Sequence, residues 1–307
     1  MYEYDKRVVL TLDAGGTNFV FSAIQGNNEM ISPIGLPAVS DNLDECLEVL
    51  VKGFDRVIAA IPVPPVAISF AFPGPADYEN GIIGDLPNFP SFRGGVALGP
   101  FLKHKYGIPV FIENDGNLFA YGEALSGALP MINRELSLAG CSREYKNLIG
   151  ITLGTGFGAG VVINKVLLTG DNGCGGDIWL MRNKKYPDML AEESVSIRAV
   201  RRVYSDLSGQ SSASLSPKDI YDIAEGIKEG DSHAAIASFN ELGIMAGAAI
   251  ASVLNVVDGL VVIGGGVAGA SKYILPALIT ELRAQLTTFS GNKFPCVSMQ
   301  VYNGEDE

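Results

Sequence analysis

Thr11-Leu12-Asp13-Ala14-Gly15-Gly16-Thr17, running on into Asn18-Phe19-Val20-Phe21, is one of two similar glycine-rich turns in this 307-residue chain. The other is Thr152-Leu153-Gly154-Thr155-Gly156-Phe157-Gly158-Ala159-Gly160, running on into Val161-Val162-Ile163. Each follows a short apolar run, Val8-Val9-Leu10 or Leu148-Ile149-Gly150-Ile151. An apolar run, a glycine turn and a second apolar run read as a β-hairpin. Glycine at the tip lets backbone N–H groups approach an anion closely, so such turns can cradle phosphate. Either copy alone reads first as an ordinary hairpin turn, because glycine-rich turns are common. The repetition, with a different polar residue at each tip, points to two similar half-structures facing one nucleotide.

Working outward, the composition describes a well-packed globular protein. Hydrophobic residues make up 47% and charged residues 18%, and the length suits two domains. The glycines are spread along the chain and mark tight turns rather than low complexity. A net charge of -12 disfavours nonspecific contact with nucleic acid or anionic membranes. No run of about eighteen apolar residues is free of charge or turn residues, so no transmembrane helix is expected. Met1-Tyr2-Glu3-Tyr4-Asp5-Lys6-Arg7 leads straight into a strand and lacks the pattern of a signal peptide. Cys46, Cys141, Cys174 and Cys296 lie far apart, which fits isolated thiols and neither a zinc site nor a disulfide framework. A cytoplasmic setting follows by elimination.

The pattern along the chain alternates strands and helices. Helices are expected at 41–54, 94–106, 118–126, 194–207, 217–229 and 232–257, and strands at 66–72, 110–112 and 259–263. Pro73-Gly74-Pro75 forms a rigid loop, and Gly264-Gly265-Gly266 turns a strand into a helix. The segment 125–147 reads as polar loop and holds the boundary. The expected domains are 1–125, with the first hairpin and Asp115, and 126–307, with the second hairpin and the triple-glycine turn. The mixture implies an α/β protein with a cleft between two lobes.

Asp115, following a buried strand and flanked by Asn114 and Asn117, suits a base that takes a proton from an attacking hydroxyl. From this segment alone the readier role is an N-cap for the helix expected near Leu118, since caps far outnumber bases. Asp13 fits either a hairpin turn or a water-bridged magnesium shell. Thr17 and Thr155 can donate hydroxyls to phosphate or stabilise their turns. His104 and His233, the two histidines, both fall on ordinary expected helices, which argues against a nucleophile–histidine–acid triad. Phosphoryl transfer needs neither histidine nor a resident metal, because positioning and charge carry it.

These residues, taken in order, resemble the ROK family of repressors and sugar kinases. The matching set is Asp13-Ala14-Gly15-Gly16-Thr17, Pro73-Gly74-Pro75, Pro87-Asn88, Glu113-Asn114-Asp115-Gly116-Asn117 with Gly122-Glu123, Gly154 to Gly160, and Gly264-Gly265-Gly266. The resemblance implies a two-lobed actin-like ATPase (ribonuclease H-like) fold with a central cleft. It implies ATP and Mg²⁺ as cofactors and a sugar as the phosphoryl acceptor. By motif, Asp115 is the catalytic base. Gly74, Asn88, Asn114, Asp177 and Glu192 are the sugar-binding set. Asp13, Gly15, Gly16, Thr17, Gly154, Thr155, Gly156 and Gly158 form the phosphate loops, with Gly265 and Gly266 near the adenosine. Asp13 would hold Mg²⁺ through water.

The chain departs from the family pattern at Gly176-Asp177-Ile178-Trp179-Leu180, where the family carries Gly-Glu-Ile-Gly-His followed by zinc cysteines. The glutamate is shortened to Asp177, Leu180 replaces the histidine, and the cysteine cluster is missing, so no zinc is expected. Trp179 can fill the vacated space or stack on a sugar face. The sequence also ends at Asn303-Gly304-Glu305-Asp306-Glu307, where the family continues into a last helix. The leading expectation is a hexose or N-acetylhexosamine kinase, with small-molecule partners, no nucleic acid or membrane partner, and possible homodimerisation. A sugar-responsive regulator and a catalytically silent sugar binder are the alternatives. The short stretch before Val8 and the acidic surface argue against the first. Asp115 and both phosphate loops argue against the second.

Overall fold

The computed structural model describes residues 2–15, 18–72, 74, 76–84 and 89–304. In chain order the first elements are β1 (Val9–Ala14), β2 (Asn18–Gln25), β3 (Asn28–Glu29), β4 (Ile34–Pro37), α1 (Leu43–Ala60), β5 (Ala67–Ala71), β6 (Ala76–Asp77), β7 (Ile82–Ile83), α2 (Leu98–Tyr106), β8 (Val110–Glu113) and α3 (Asp115–Leu125). They are followed by α4 (Ala128–Leu138), β9 (Leu148–Leu153), β10 (Phe157–Ile163), β11 (Val166–Leu167), α5 (Ile197–Ser208), α6 (Pro217–Ala224), α7 (Ser232–Val257), β12 (Leu260–Gly264), α8 (Ser271–Leu282), β13 (Gln285–Thr287) and β14 (Lys293–Pro295). The chain divides into two compact units. The first is Met1–Leu118 with Leu125–Pro130 and Asp171–Gly173; the second is Phe119–Ala124, Met131–Gly170 and Cys174–Glu307.

The first unit is built on a sheet of order β3-β2-β1-β5-β8, with β4 also paired to β2. Its β1–β2 hairpin is antiparallel, and β1, β5 and β8 run parallel. Alternate strand residues, among them Leu10, Phe21, Ile68 and Phe70, are buried with Leu50, Phe54 and Val57 of α1. Burying a side chain of this size stabilises the fold by about 1.5–3 kcal/mol. Gly53 is required on α1, because a Cβ there would stand 2.3 Å from the Phe21 ring. Phe21 meets Phe54 edge to face, with centroids 5.1 Å apart. Asn42 caps α1 by accepting the Glu45 N–H.

The second unit repeats the same local topology. Its sheet has order β11-β10-β9-β12, in which an antiparallel hairpin, β9–β10, is joined by a parallel strand, β12. Helix α7 forms the centre of this unit, packed with α5, α6 and α8. Small residues allow the approach of α8. A Cβ at Gly243 would lie 2.4 Å from the Ile274 carbonyl oxygen, and one at Gly247 would lie 2.9 Å from that of Leu278. By length and composition alone α7 would pass for a membrane span. It is instead a core helix here. Leu242, Ala246, Ile250 and Leu254 are buried, and Glu241 in its middle pairs with Lys185 at 2.7 Å.

Several expected boundaries move for local reasons. Residues 94–97 lie outside α2, since Gly94 and Gly95 adopt φ of 86° and 91°. Helix α6 stops at Ala224, ahead of Gly226 with φ 73°. The segment expected to be polar loop contains α4, which tolerates Pro130 because it falls in the first turn. The β13–β14 hairpin was not anticipated, for all its residues are exposed and no alternation marks it.

Candidate functional site

In the first unit, strand pairing gathers the sequence-predicted residues at one sheet end. Asp13, Ala71 and Glu113 lie in one row across β1, β5 and β8. The row spans two strand spacings, about 10 Å. Because these strands are parallel, the turn after β1, the loop after β5 and the corner after β8 all leave the sheet at its carboxyl end. That is where open α/β sheets bind ligands. Asp13 is exposed there. Gly15 is half-buried, and a Cβ on it would stand 2.9 Å from the Asn18 carbonyl oxygen. Gly74 is exposed after β5. A Cβ there would meet the Tyr78 hydroxyl at 3.0 Å, and that hydroxyl donates to the Phe72 carbonyl at 2.9 Å.

The corner after β8 settles which residue caps the next helix. Helix α3 starts at Asp115 itself, earlier than Leu118, and its N-cap is Asn114. Asn114 Oδ1 accepts the N–H of Gly116 at 2.8 Å and of Asn117 at 3.3 Å, and its carbonyl accepts from Leu118. Asp115 is therefore the first helical residue. It is exposed, and one carboxylate oxygen accepts the adjacent Gly116 N–H at 2.9 Å. The corner is braced from behind by Glu113, whose Oε1 accepts the Asn114 N–H at 2.9 Å and Asn117 Nδ2 at 3.1 Å. Asn117 is buried, and its Oδ1 has no partner. With Asn114 Oδ1 committed to the helix, its amide NH₂ is the part of that side chain suited to a ligand.

In the second unit, β9 and β12 end side by side, with Thr152 opposite Gly264. The hairpin tip Gly154-Thr155-Gly156 thus lies next to the turn Gly265-Gly266. Val267 N–H donates to the Leu153 carbonyl at 2.9 Å. Gly265 has φ 91°, and a Cβ on it would stand 2.5 Å from Leu153 O. At Gly154 and Gly266 the space a Cβ would fill is open, and Thr155, Gly265 and Gly266 are exposed. Gly158 lies inside β10, opposite Thr152, away from the tip.

Glu192 is tied to this tip, a link that nothing in the sequence spacing announced. Its Oε2 accepts the Phe157 N–H at 3.0 Å, and its Oε1 accepts from Arg198 at 3.1 Å. Asp177 is exposed and accepts Trp179 Nε1–H at 3.2 Å. The Asp177 and Glu192 segments are joined by Ala191 N–H donating to Met181 O at 2.7 Å. Between them, buried Asn183 organises the loop. Its Nδ2 donates to Leu190 O and Ser194 Oγ, and its Oδ1 accepts the N–H groups of Lys185 and Tyr186. Sequence reasoning missed Asn183, Arg198 and Glu113. Asn183 lies outside every motif, Arg198 entered only through the spacing that marks Glu192, and Glu113 stands in a motif without a role of its own.

Gly16, Thr17 and Asn88 lie outside the described residues. Among the described residues, no three His, Cys, Asp or Glu side chains gather in a way that could hold a metal ion.

The chain is 66% identical to a structurally characterised glucokinase from Parabacteroides distasonis, with a TM-score of 0.85, covering 92% of this chain and 79% of that one. It is 26% identical to a glucokinase of Thermotoga maritima, over 89% of this chain and 86% of the relative. A glucokinase from Streptomyces griseus, solved in complex with glucose and AMPPNP, shares the fold at 20% identity and a TM-score of 0.67, covering 90% of this chain and 88% of that one. The architecture is the actin-like ATPase fold. The ROK family model matches residues 9–303, nearly the whole described chain, and this protein belongs to the ROK family.

Proposed function

We propose that this protein is an ATP-dependent sugar kinase whose acceptor is a hexose hydroxyl, D-glucose being the first to test. One observation carries the reading. Asp115 is an exposed carboxylate at the carboxyl end of three parallel strands, and the helix cap it would otherwise serve is supplied by Asn114. An exposed carboxylate at a sheet end, whose one described bond is to the adjacent Gly116 N–H, suits a general base. The glucokinase relatives support the same reading.

In this mechanism Asp115 accepts the proton of the sugar hydroxyl as its oxygen bonds to the γ-phosphorus of ATP, and the bond to the β-phosphate oxygen breaks to leave ADP. The Asn114 amide donates to a sugar hydroxyl, and Asn88, Gly74, Asp177 and Glu192 complete the sugar contacts. The residues present fit a nucleotide, for Gly154 and Gly266 leave the space of a side chain empty beside exposed backbone. The Thr155 and Gly156 N–H groups and those of the 15–17 segment would hold phosphate oxygens, and Gly265 and Gly266 would face the adenosine. Asp13, exposed in the same strand row as Glu113, would hold Mg²⁺ through water; the ion neutralises phosphate charge when bound. Closing out water would favour transfer to the sugar over hydrolysis. A cytoplasmic setting and a homodimer belong to this reading as well.

The test is ADP release with a panel of hexoses, N-acetylhexosamines and no sugar, with and without Mg²⁺. Turnover that requires both a hexose and Mg²⁺ is expected. ATP binding without turnover on any sugar would overturn the assignment.

A further inference from the structure

The tip of the β9–β10 hairpin is two glycines and a threonine, a sequence with little conformational preference of its own. In the folded protein each of its carbonyls has a partner. Gly156 O accepts the Gly154 N–H at 3.1 Å, and Gly154 O accepts the Ile197 N–H at 2.9 Å at the start of α5. Thr155 O accepts Arg198 Nη1 at 3.5 Å. The other Arg198 nitrogen, Nη2, bridges Glu192 at 3.1 Å and Glu193 at 3.3 Å. Glu192 in turn holds the Phe157 N–H. The fit is close enough that a Cβ at Gly156 would stand 2.6 Å from Glu192 Oε2.

A trans peptide points its C=O and the following N–H in opposite directions. Holding Gly154 O toward α5 therefore turns the Thr155 N–H away from it. Holding Thr155 O toward Arg198 does the same for the Gly156 N–H. Ile197 supplies the first restraint from the backbone, which no side-chain change removes. The second depends on one side chain.

We infer that Arg198 is a positioning residue, which aims the Gly156 N–H at the nucleotide's phosphates and couples that aim to Glu192. The inference rests on the kinase reading for the identity of the anion. Arg198 itself faces the carbonyl side of the tip, and its guanidinium is shared with two carboxylates. It acts through the hairpin and is not a phosphate ligand. Lysine at this position would keep a charge near Glu192 but cannot also reach Thr155 O with a second, rigidly held nitrogen.

The experiment compares wild type, Arg198→Ala and Arg198→Lys by calorimetric titration with a non-hydrolysable ATP analogue and with adenosine. Adenosine lacks the phosphates and serves as the internal control. The expected result is an affinity for the analogue about tenfold weaker in Arg198→Ala, adenosine affinity within about twofold of wild type, and an intermediate value for Arg198→Lys. Should Arg198→Ala fail to fold, the lysine variant carries the same comparison. Unchanged analogue affinity, or an equal loss for adenosine and the analogue, would overturn the inference while leaving the kinase assignment standing. Wild-type protein that binds neither probe would overturn the kinase reading itself.

Discussion

Asn114 and Asp115 divide between them two duties that a single residue often holds. Asn114 closes the first turn of α3, its Oδ1 taking the N–H groups of Gly116 and Asn117, while the next residue keeps an exposed carboxylate at the first helical position. The division separates stability from chemistry and makes each testable alone.

Asp115→Asn is expected to lower kcat by a factor on the order of 10² to 10⁴. The change removes a favourable charge at the helix N-terminus, costing under about 1 kcal/mol. Coupled-assay kinetics beside thermal unfolding will show whether activity collapses with the fold intact. An active variant that unfolds early would assign Asp115 a structural role instead.

Asn114→Ala should show the opposite balance. Loss of the cap costs about 1 kcal/mol. Thermal denaturation should register a fall of a few degrees, and the KM for sugar should rise because the amide NH₂ is gone. A variant with wild-type stability would mean that Gly116 and Asn117 find other partners.

Asn183 satisfies four groups of the loop between the Asp177 and Glu192 segments. Asn183→Ala strands the N–H groups of Lys185 and Tyr186 and the Ser194 hydroxyl, and leaves Leu190 O with the Glu193 N–H as its remaining partner. The expected cost is about 2 kcal/mol or more. Increased protease cleavage within 181–194, together with a lower midpoint in urea, is the outcome to look for. An unchanged midpoint would show that the loop is held elsewhere.

The cysteines should separate by pH and access. Burial alone pushes the Cys46 thiol up to about 11, from an ordinary value near 9. Between those values the unfolded chain binds fewer protons than the native one, so stability falls as pH rises through that window. The contribution is intact below it. Cys141 and Cys174 are exposed. A thiol reagent at neutral pH should label these two quickly and reach Cys46 only on unfolding; rapid labelling of Cys46 in native protein would contradict its burial.

Trp179 is the only tryptophan in the chain, and its indole N–H donates to Asp177. If Asp177 takes a sugar hydroxyl, that bond is redistributed. Titration with glucose should then shift or quench the emission. Asp177→Ala should alter the sugar-free spectrum and abolish the response. No change at a calorimetrically verified saturation would place Trp179 away from the sugar.

What could be read from the sequence was what local chemistry dictates. Both hairpins were legible because glycine turns between apolar runs allow few alternatives, and α7 was legible from residue 232 to 257. Helix α4 was hidden by Pro130, a breaker in most positions but harmless in a first turn. The cap of α3 was misjudged by one residue, since Asn and Asp both suit an N-cap and stand side by side. The ties from Glu192 to Phe157, 35 residues apart, and from Arg198 to Thr155, 43 residues apart, are set by tertiary packing and leave no local trace.

The glycines that seat α8 on α7 also bear on how backbone amides meet solvent. With Gly243 and Gly247 against the Ile274 and Leu278 carbonyls, the two helices touch backbone to backbone, and neither can fray without parting from the other. Amides in the middle of α7 should therefore exchange with deuterium only when the whole second unit opens. The fully exposed β13–β14 hairpin should exchange through brief local opening. Within one unit, the slowest protons measure global stability and the fastest report only their own strand pair.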